Sequence, residues 1–128
     1  MTRERETDAA QAWLAANDEA GLAISEWVET EISSALSLKV RTGALGLDAR
    51  AAALAEYRRV AARVMSILPV EPRHFRLAAS FADRHDLGLR AGEALHLAVC
   101  ADHGANLVTL DQRLLAAAPQ LGVAAESP

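Results

Sequence analysis

Lysine is nearly missing from this chain, with Lys39 standing alone against twelve arginines. Aromatics make up only 4% of the 128 residues and cysteine is limited to Cys100. A lone cysteine excludes an internal disulfide and fits a reducing compartment such as the cytoplasm. No apolar run approaches the roughly 20 residues of a membrane span, because Arg, Glu or Asp interrupts each candidate. The opening Met1-Thr2-Arg3-Glu4-Arg5-Glu6 has no apolar stretch of the secretory kind. The seven glycines are scattered, so there is no phosphate-cradling loop. One Cys and four unpaired His give no zinc pattern. With a net charge of −4, no global field draws nucleic acid. The arginine bias suits bidentate phosphate contacts, although a GC-rich genome produces the same bias without function.

What is present is a well-packed, small-side-chain composition, 52% hydrophobic and dominated by Ala, Leu and Val. The length suits one domain over residues 1–128. Asp8 to Ala16 reads as a short helix, and Leu22-Ala23-Ile24 as a buried strand after Gly21. Ser25 is placed to cap a helix from Glu26 to about Thr42, with Gly43 as its stop. Asp48 is placed to cap a helix to about Met65 that carries Arg58, Arg59 and Arg63. Ile67 to Val70 reads as an edge strand, and Pro72 opens a helix to about His85. Ala91 to His103 is the most apolar helix, ended by Gly104. A strand from Leu107 to Leu110, a helix from Gln112 to about Ala118 and a terminal strand from Val123 complete the pattern. Short apolar strands alternating with helices predict an α/β domain whose parallel sheet is flanked by helices. Sites in such sheets form at the carboxyl ends of strands, where Ser25 and Asp111 both fall.

Three carboxylates occupy positions where a charge is out of place. Glu31 shares a helix face with Val28, Ile32 and Ala35; Glu93 lies on the apolar helix near Leu97 and His96. Asp111 ends the last strand pattern. Each has a plain rival reading: a carboxylate paired with arginine at Glu31, a buried salt bridge at Glu93, an ordinary N-cap at Asp111. His96 is a ligand or base candidate, with a hydrogen-bonded core histidine the stronger reading, while His74, His85 and His103 are expected at the surface or at helix ends. Ser25 and Cys100 lack an evident base partner for nucleophilic catalysis. Gathering carboxylates requires a cation or proton to offset their repulsion. Oxygen-only ligands then suit Mg²⁺ or Mn²⁺.

Taken together, the segments are more specific. Residues 23–36, AISEWVETEISSAL, resemble the second acidic motif of PIN-domain ribonucleases. Residues 89–98, LRAGEALHLA, resemble the third motif, and residues 107–114, LVTLDQRL, the last. Their order and spacing resemble VapC toxins of type II toxin–antitoxin systems across nearly the whole chain. The resemblance implies a PIN-like three-layer fold and a metal-dependent endoribonuclease that cuts tRNA or ribosomal RNA. It further implies a cognate antitoxin and a homodimer. Carried over residue by residue, Glu31, Glu93 and Asp111 become the catalytic and metal-site acids, with Thr109 a secondary polar contact.

Two departures stand against that pattern. The family's first strand, apolar-apolar-Asp-Thr/Ser, has no counterpart here, and Asp8 has no strand before it. The third acid is usually Asp, whereas Glu93 is one methylene longer. The absent strand is the central one, so three expectations follow. The natural start lies upstream of Met1, which is the favoured one; or the two inner edges close on each other; or a partner strand fills the gap. Mn²⁺-dependent RNA cleavage by these 128 residues is expected to be negligible. The competing class is a non-catalytic PIN-like remnant that binds an antitoxin or dimerises through the early helices, including Trp13 and Trp27.

Overall fold

A computed structural model describes residues 22–128. The helix expected at Asp8–Ala16, with Trp13, lies outside the described residues. The described chain divides into two units, residues 22–69 and 70–128.

The first unit runs strand–helix–helix–strand. Strand β1, Leu22–Ser25, leads into helix α1, Glu26–Arg41; helix α2, Leu47–Val64, leads into strand β2, Met65–Leu68. The two strands are parallel, with Ile24 opposite Ile67 and Ser25 opposite Leu68. A parallel pair needs a long crossover, and the two helices supply it. Ser25 holds the N-cap position of α1 in extended conformation, but its hydroxyl makes no cap bond. Glu26 and Glu29 instead favour the positive end of the helix, and Lys39 and Arg41 the negative end. Beyond the Thr42 C-cap, Gly43 takes a φ of +79°, which side chains rarely adopt. Arg58 on α2 reaches Glu29 on α1 at 2.8 Å, an exposed pair that contributes little.

In this unit two boundaries differ from the sequence expectation. Helix α2 begins at Leu47, so Asp48 sits inside its first turn rather than capping it. Strand β2 begins two residues before Ile67 and ends before Pro69. Proline has no N–H to give a ladder, so it terminates the strand rather than joining it.

The second unit opens with helix α3, Pro72–Ala82, followed by a 3₁₀ turn at His85–Leu87. Helix α3 therefore stops short of His85 and ends at an Asp83 C-cap. Helix α4, Ala91–His103, follows and packs along α3. Strand β3 is only Leu107–Val108 and pairs in parallel with strand β4, Ala125–Glu126. Between them lie helix α5, Gln112–Ala117, and a 3₁₀ turn at Ala118–Leu121. Asn106 braces this pair by donating from its side-chain amide to Glu126 at 2.6 Å.

The core of this unit gathers Leu97, Leu114, Ala118 and Val123, with Phe81 and Leu107 among the side chains packed against it. Ala78 on α3 and Ala94 and Ala98 on α4 are buried in this unit, small side chains of the kind that let packed helix axes approach. Leu97 and Ala98 are fully buried, which explains why α4 reads as apolar on nearly every face. No described helix is long and apolar enough to cross a membrane.

Candidate functional site

Asp111 follows β3 by three residues and holds the N-cap of α5. Its Oδ1 accepts the backbone N–H of Arg113 at 2.9 Å and of Leu114 at 3.3 Å. These two bonds satisfy donors that a helix start otherwise leaves open. The Asp111 N–H in turn donates to the Thr109 hydroxyl at 3.1 Å. Thr109 thus fixes the turn that aims the carboxylate, through the backbone rather than through the carboxylate itself.

Glu93 occupies the first turn of α4, where its Oε1 accepts the Arg90 N–H at 2.8 Å. The reading of Asp111 as an N-cap therefore holds as far as one oxygen goes, while Glu93, the third residue of its helix, reaches back to the N–H of the N-cap residue Arg90. Each carboxylate commits a single oxygen to the backbone, which leaves its other oxygen outside the cap bonds. Both residues are half-buried and both belong to the 70–128 unit. Their donor set is carboxylate oxygen alone, the chemistry that hard cations such as Mg²⁺ or Mn²⁺ take. Donor chemistry of this kind suits a divalent cation, and the fit of Glu93 and Asp111 rests on that chemistry alone.

Glu31 belongs to the other unit, half-buried on α1. It lines a groove of about 310 Å³ along that helix with Trp27, Thr30, Ser34, Ala35 and Leu38. None of the residues of α1 is fully buried.

A second cluster went unseen in the sequence. Among the described residues, His74, Asp102 and His103 bring metal-capable atoms within 4.8 Å of one another. His74, expected at the surface or a helix end, is in the first turn of α3 yet only 1% exposed. Its Nδ1 accepts the Glu71 N–H at 2.9 Å, so the ring proton sits on Nε2, which faces Asp102 Oδ2 at 2.8 Å. A metal at Nε2 needs that proton moved to Nδ1, and Nδ1 already faces a donor. Arg73 occupies the same Asp102 oxygen, at 2.9 Å from its terminal nitrogen and 3.2 Å from Nε, and also pairs with Glu71. The Arg73 guanidinium, and next the His74 hydrogen bond, hold the Asp102 carboxyl down at about 2. These groups satisfy one another, and the cluster does not fit a metal.

Burial pushes the Cys100 thiol up, away from the thiolate form.

Parallel strand pairs with helices between them make this an α/β domain, and Asp111 lies just beyond the carboxyl end of β3, where sites in such domains form. Comparison with family models agrees: the PIN domain model matches residues 1–119, and the chain belongs to the PIN domain family. That family is one of nucleases that typically depend on divalent metal. Among curated proteins none matches the chain.

Proposed function

We propose that this chain is a metal-dependent endoribonuclease toxin of a toxin–antitoxin pair, built as one PIN-like domain over residues 1–128. The observation that carries the reading is the PIN domain match over residues 1–119. Glu31, Glu93 and Asp111 are the proposed acids for Mg²⁺ or Mn²⁺, and Thr109 sets the turn that aims Asp111. A bound divalent ion supplies Lewis acidity and a more acidic water. The chain's own residues hold the carboxylates still: backbone N–H groups pin Oδ1 of Asp111 and Oε1 of Glu93, so the second oxygen of each needs little reorganisation to take a cation. The proposed substrate is tRNA or ribosomal RNA, and the proposed setting is the cytoplasm, as a homodimer silenced by a cognate antitoxin.

Residues 1–128 contain no apolar-apolar-Asp-Thr/Ser segment, so cleavage by these residues alone is expected to be weak. The test therefore has two readouts, Mn²⁺ binding and Mn²⁺-dependent cleavage of labelled tRNA and ribosomal RNA. Binding that is lost in Glu93→Gln and in Asp111→Asn supports the site. Strong cleavage abolished by Glu31→Gln would keep the nuclease and remove the expectation of impairment. A wild-type chain that binds no Mn²⁺ at millimolar concentration overturns the metal reading.

A second reading has its own observation. Leu38, Leu47 and Ile67 of the 22–69 unit are more than half exposed, and Leu38 borders the α1 groove. Such surface suits a binding-only protein that engages an antitoxin or a second copy. Co-purification with a small antitoxin, without Mn²⁺ binding, favours it.

A further inference from the structure

We infer that Arg113 is a positioning residue that ties Glu93 and Asp111 into one frame. This rests on the reading of those two acids as cation ligands. The Arg113 backbone N–H donates to Asp111 Oδ1 at 2.9 Å. Its side chain leaves the first turn of α5 and donates from a terminal nitrogen to the Gly88 carbonyl at 3.1 Å. Gly88 closes the His85–Leu87 turn with a φ of +64°, and its own N–H donates to the His85 carbonyl at 3.3 Å. Two residues later the Arg90 N–H donates to Glu93 Oε1 at 2.8 Å. One unbroken path therefore runs from the Asp111 carboxylate through Arg113, along Gly88-Leu89-Arg90, to the Glu93 carboxylate.

Each acid's own cap bond is local to its helix start, while the two helices meet through Leu97 and Leu114 in the core. Glu93 follows Arg90 by three residues and Asp111 precedes Leu114 by three, so neither cap bond fixes one carboxylate relative to the other. Along this path it is the Arg113 side chain that bridges the two segments, with a sequence separation of 25 residues. A charged donor makes that bond to a carbonyl stronger than a neutral one would. The conformation of Gly88 is one that side chains rarely adopt, and it sets the direction of the carbonyl that Arg113 meets. Loss of a partner that orients a metal ligand typically costs about 10–100-fold in affinity.

Arg113→Met keeps helix propensity and most of the length but removes the donor; Arg113→Lys restores one donor, which is all that Gly88 uses. The measurements are amide hydrogen exchange at Arg90, Leu114 and Leu97, Mn²⁺ affinity, and the split of any RNA-cleavage loss between KM and kcat. In Arg113→Met the Arg90 amide is expected to exchange about tenfold faster, because the loop before α4 opens locally. Leu114, whose bond to Asp111 is local, and Leu97, deep in the core, keep their wild-type rates. Mn²⁺ binding weakens by about tenfold, the lower end of the range for an orienting partner. Lysine recovers both effects.

Unchanged Arg90 exchange in Arg113→Met overturns the inference. So does equal acceleration at Leu97, which marks a loss of global stability only. A rise in KM alone, with wild-type exchange and no recovery by lysine, makes Arg113 a contact to RNA phosphate instead. If the wild-type chain binds no Mn²⁺, the cation reading fails by itself, and the exchange pattern still decides whether Arg113 ties the two segments.

Discussion

His74 on α3 and Asp102 on α4 meet at 2.8 Å, with the imidazole proton on Nε2 pointing at the carboxylate. The backbone N–H of Glu71 fixes that tautomer by donating to Nδ1. A buried ring thus bridges the two helices whose packing dominates the 70–128 unit. Arg73 adds a cation to the same carboxylate oxygen.

Acid should release this bridge in a defined window. The Asp102 carboxyl is held at about 2, below its ordinary 3.8, first by Arg73 and then by His74. A depressed carboxylate stabilises the fold fully above its unfolded value and loses that contribution as pH falls through its folded value. The wild-type Tm is therefore expected to fall faster than that of Asp102→Asn between about pH 4 and pH 2. Parallel Tm curves for the two proteins across that window would refute the assignment.

Zinc should not stabilise the His74, Asp102 and His103 cluster. Binding at His74 requires the opposite tautomer and the displacement of Arg73 from Asp102. Any rise in Tm on adding Zn²⁺ or Co²⁺ is expected to be the same in the wild type, His74→Gln and His103→Ala, whereas a site filled at 100 times its Kd adds about 2.7 kcal/mol. A metal-dependent rise in Tm that disappears in both His74→Gln and His103→Ala would show the tautomer argument to be wrong.

The contrast between these helices explains what the sequence disclosed. Helix α4 was legible to the residue, Ala91 to His103, because a long apolar run meets a glycine stop at Gly104. Asp111 was legible as a cap because its partners, Arg113 and Leu114, are two and three residues away. His74 was not: it shares the inward face of α3 with Ala78, but a polar residue gives no apolar signal, and its partner lies 28 residues on. The Arg113 contact to Gly88 was hidden for the same reason, since it spans 25 residues. The boundary of β2 shifted because its register is set by β1, some 43 residues earlier in the paired sequence, and not by local pattern. Local hydrogen bonds and glycine stops are written in short windows; tertiary polar ties are not.

Gly104 offers a clean measure of such a stop. It ends α4 at a φ of +61°, and its N–H donates to the Ala101 carbonyl while Ala105 reaches the Cys100 carbonyl at 2.9 Å. A Cβ built there meets nothing within 4 Å, so any cost of substitution comes from the backbone alone. Gly104→Ala is expected to cost about 1 kcal/mol, the penalty of a left-handed conformation for an L-residue, and Gly104→Asn less. Urea unfolding checks both. Equal stability of the alanine variant would mean that the chain relaxes out of this conformation.

Asp111 separates structure from chemistry by a single atom. Asparagine accepts the N–H groups of Arg113 and Leu114 as aspartate does, because a neutral side-chain oxygen also serves as an N-cap. Asp111→Asn is therefore expected to change stability by less than about 0.5 kcal/mol, while Asp111→Ala, which loses both bonds, costs about 1 kcal/mol. If the second oxygen takes a cation, both variants lose Mn²⁺ binding to the same extent, since the charge is gone in each. Denaturant unfolding and Mn²⁺ titration of the same three proteins read the two effects independently. An asparagine variant as unstable as alanine would deny the cap, and one that binds Mn²⁺ like the wild type would deny Asp111 its place among the metal-site acids.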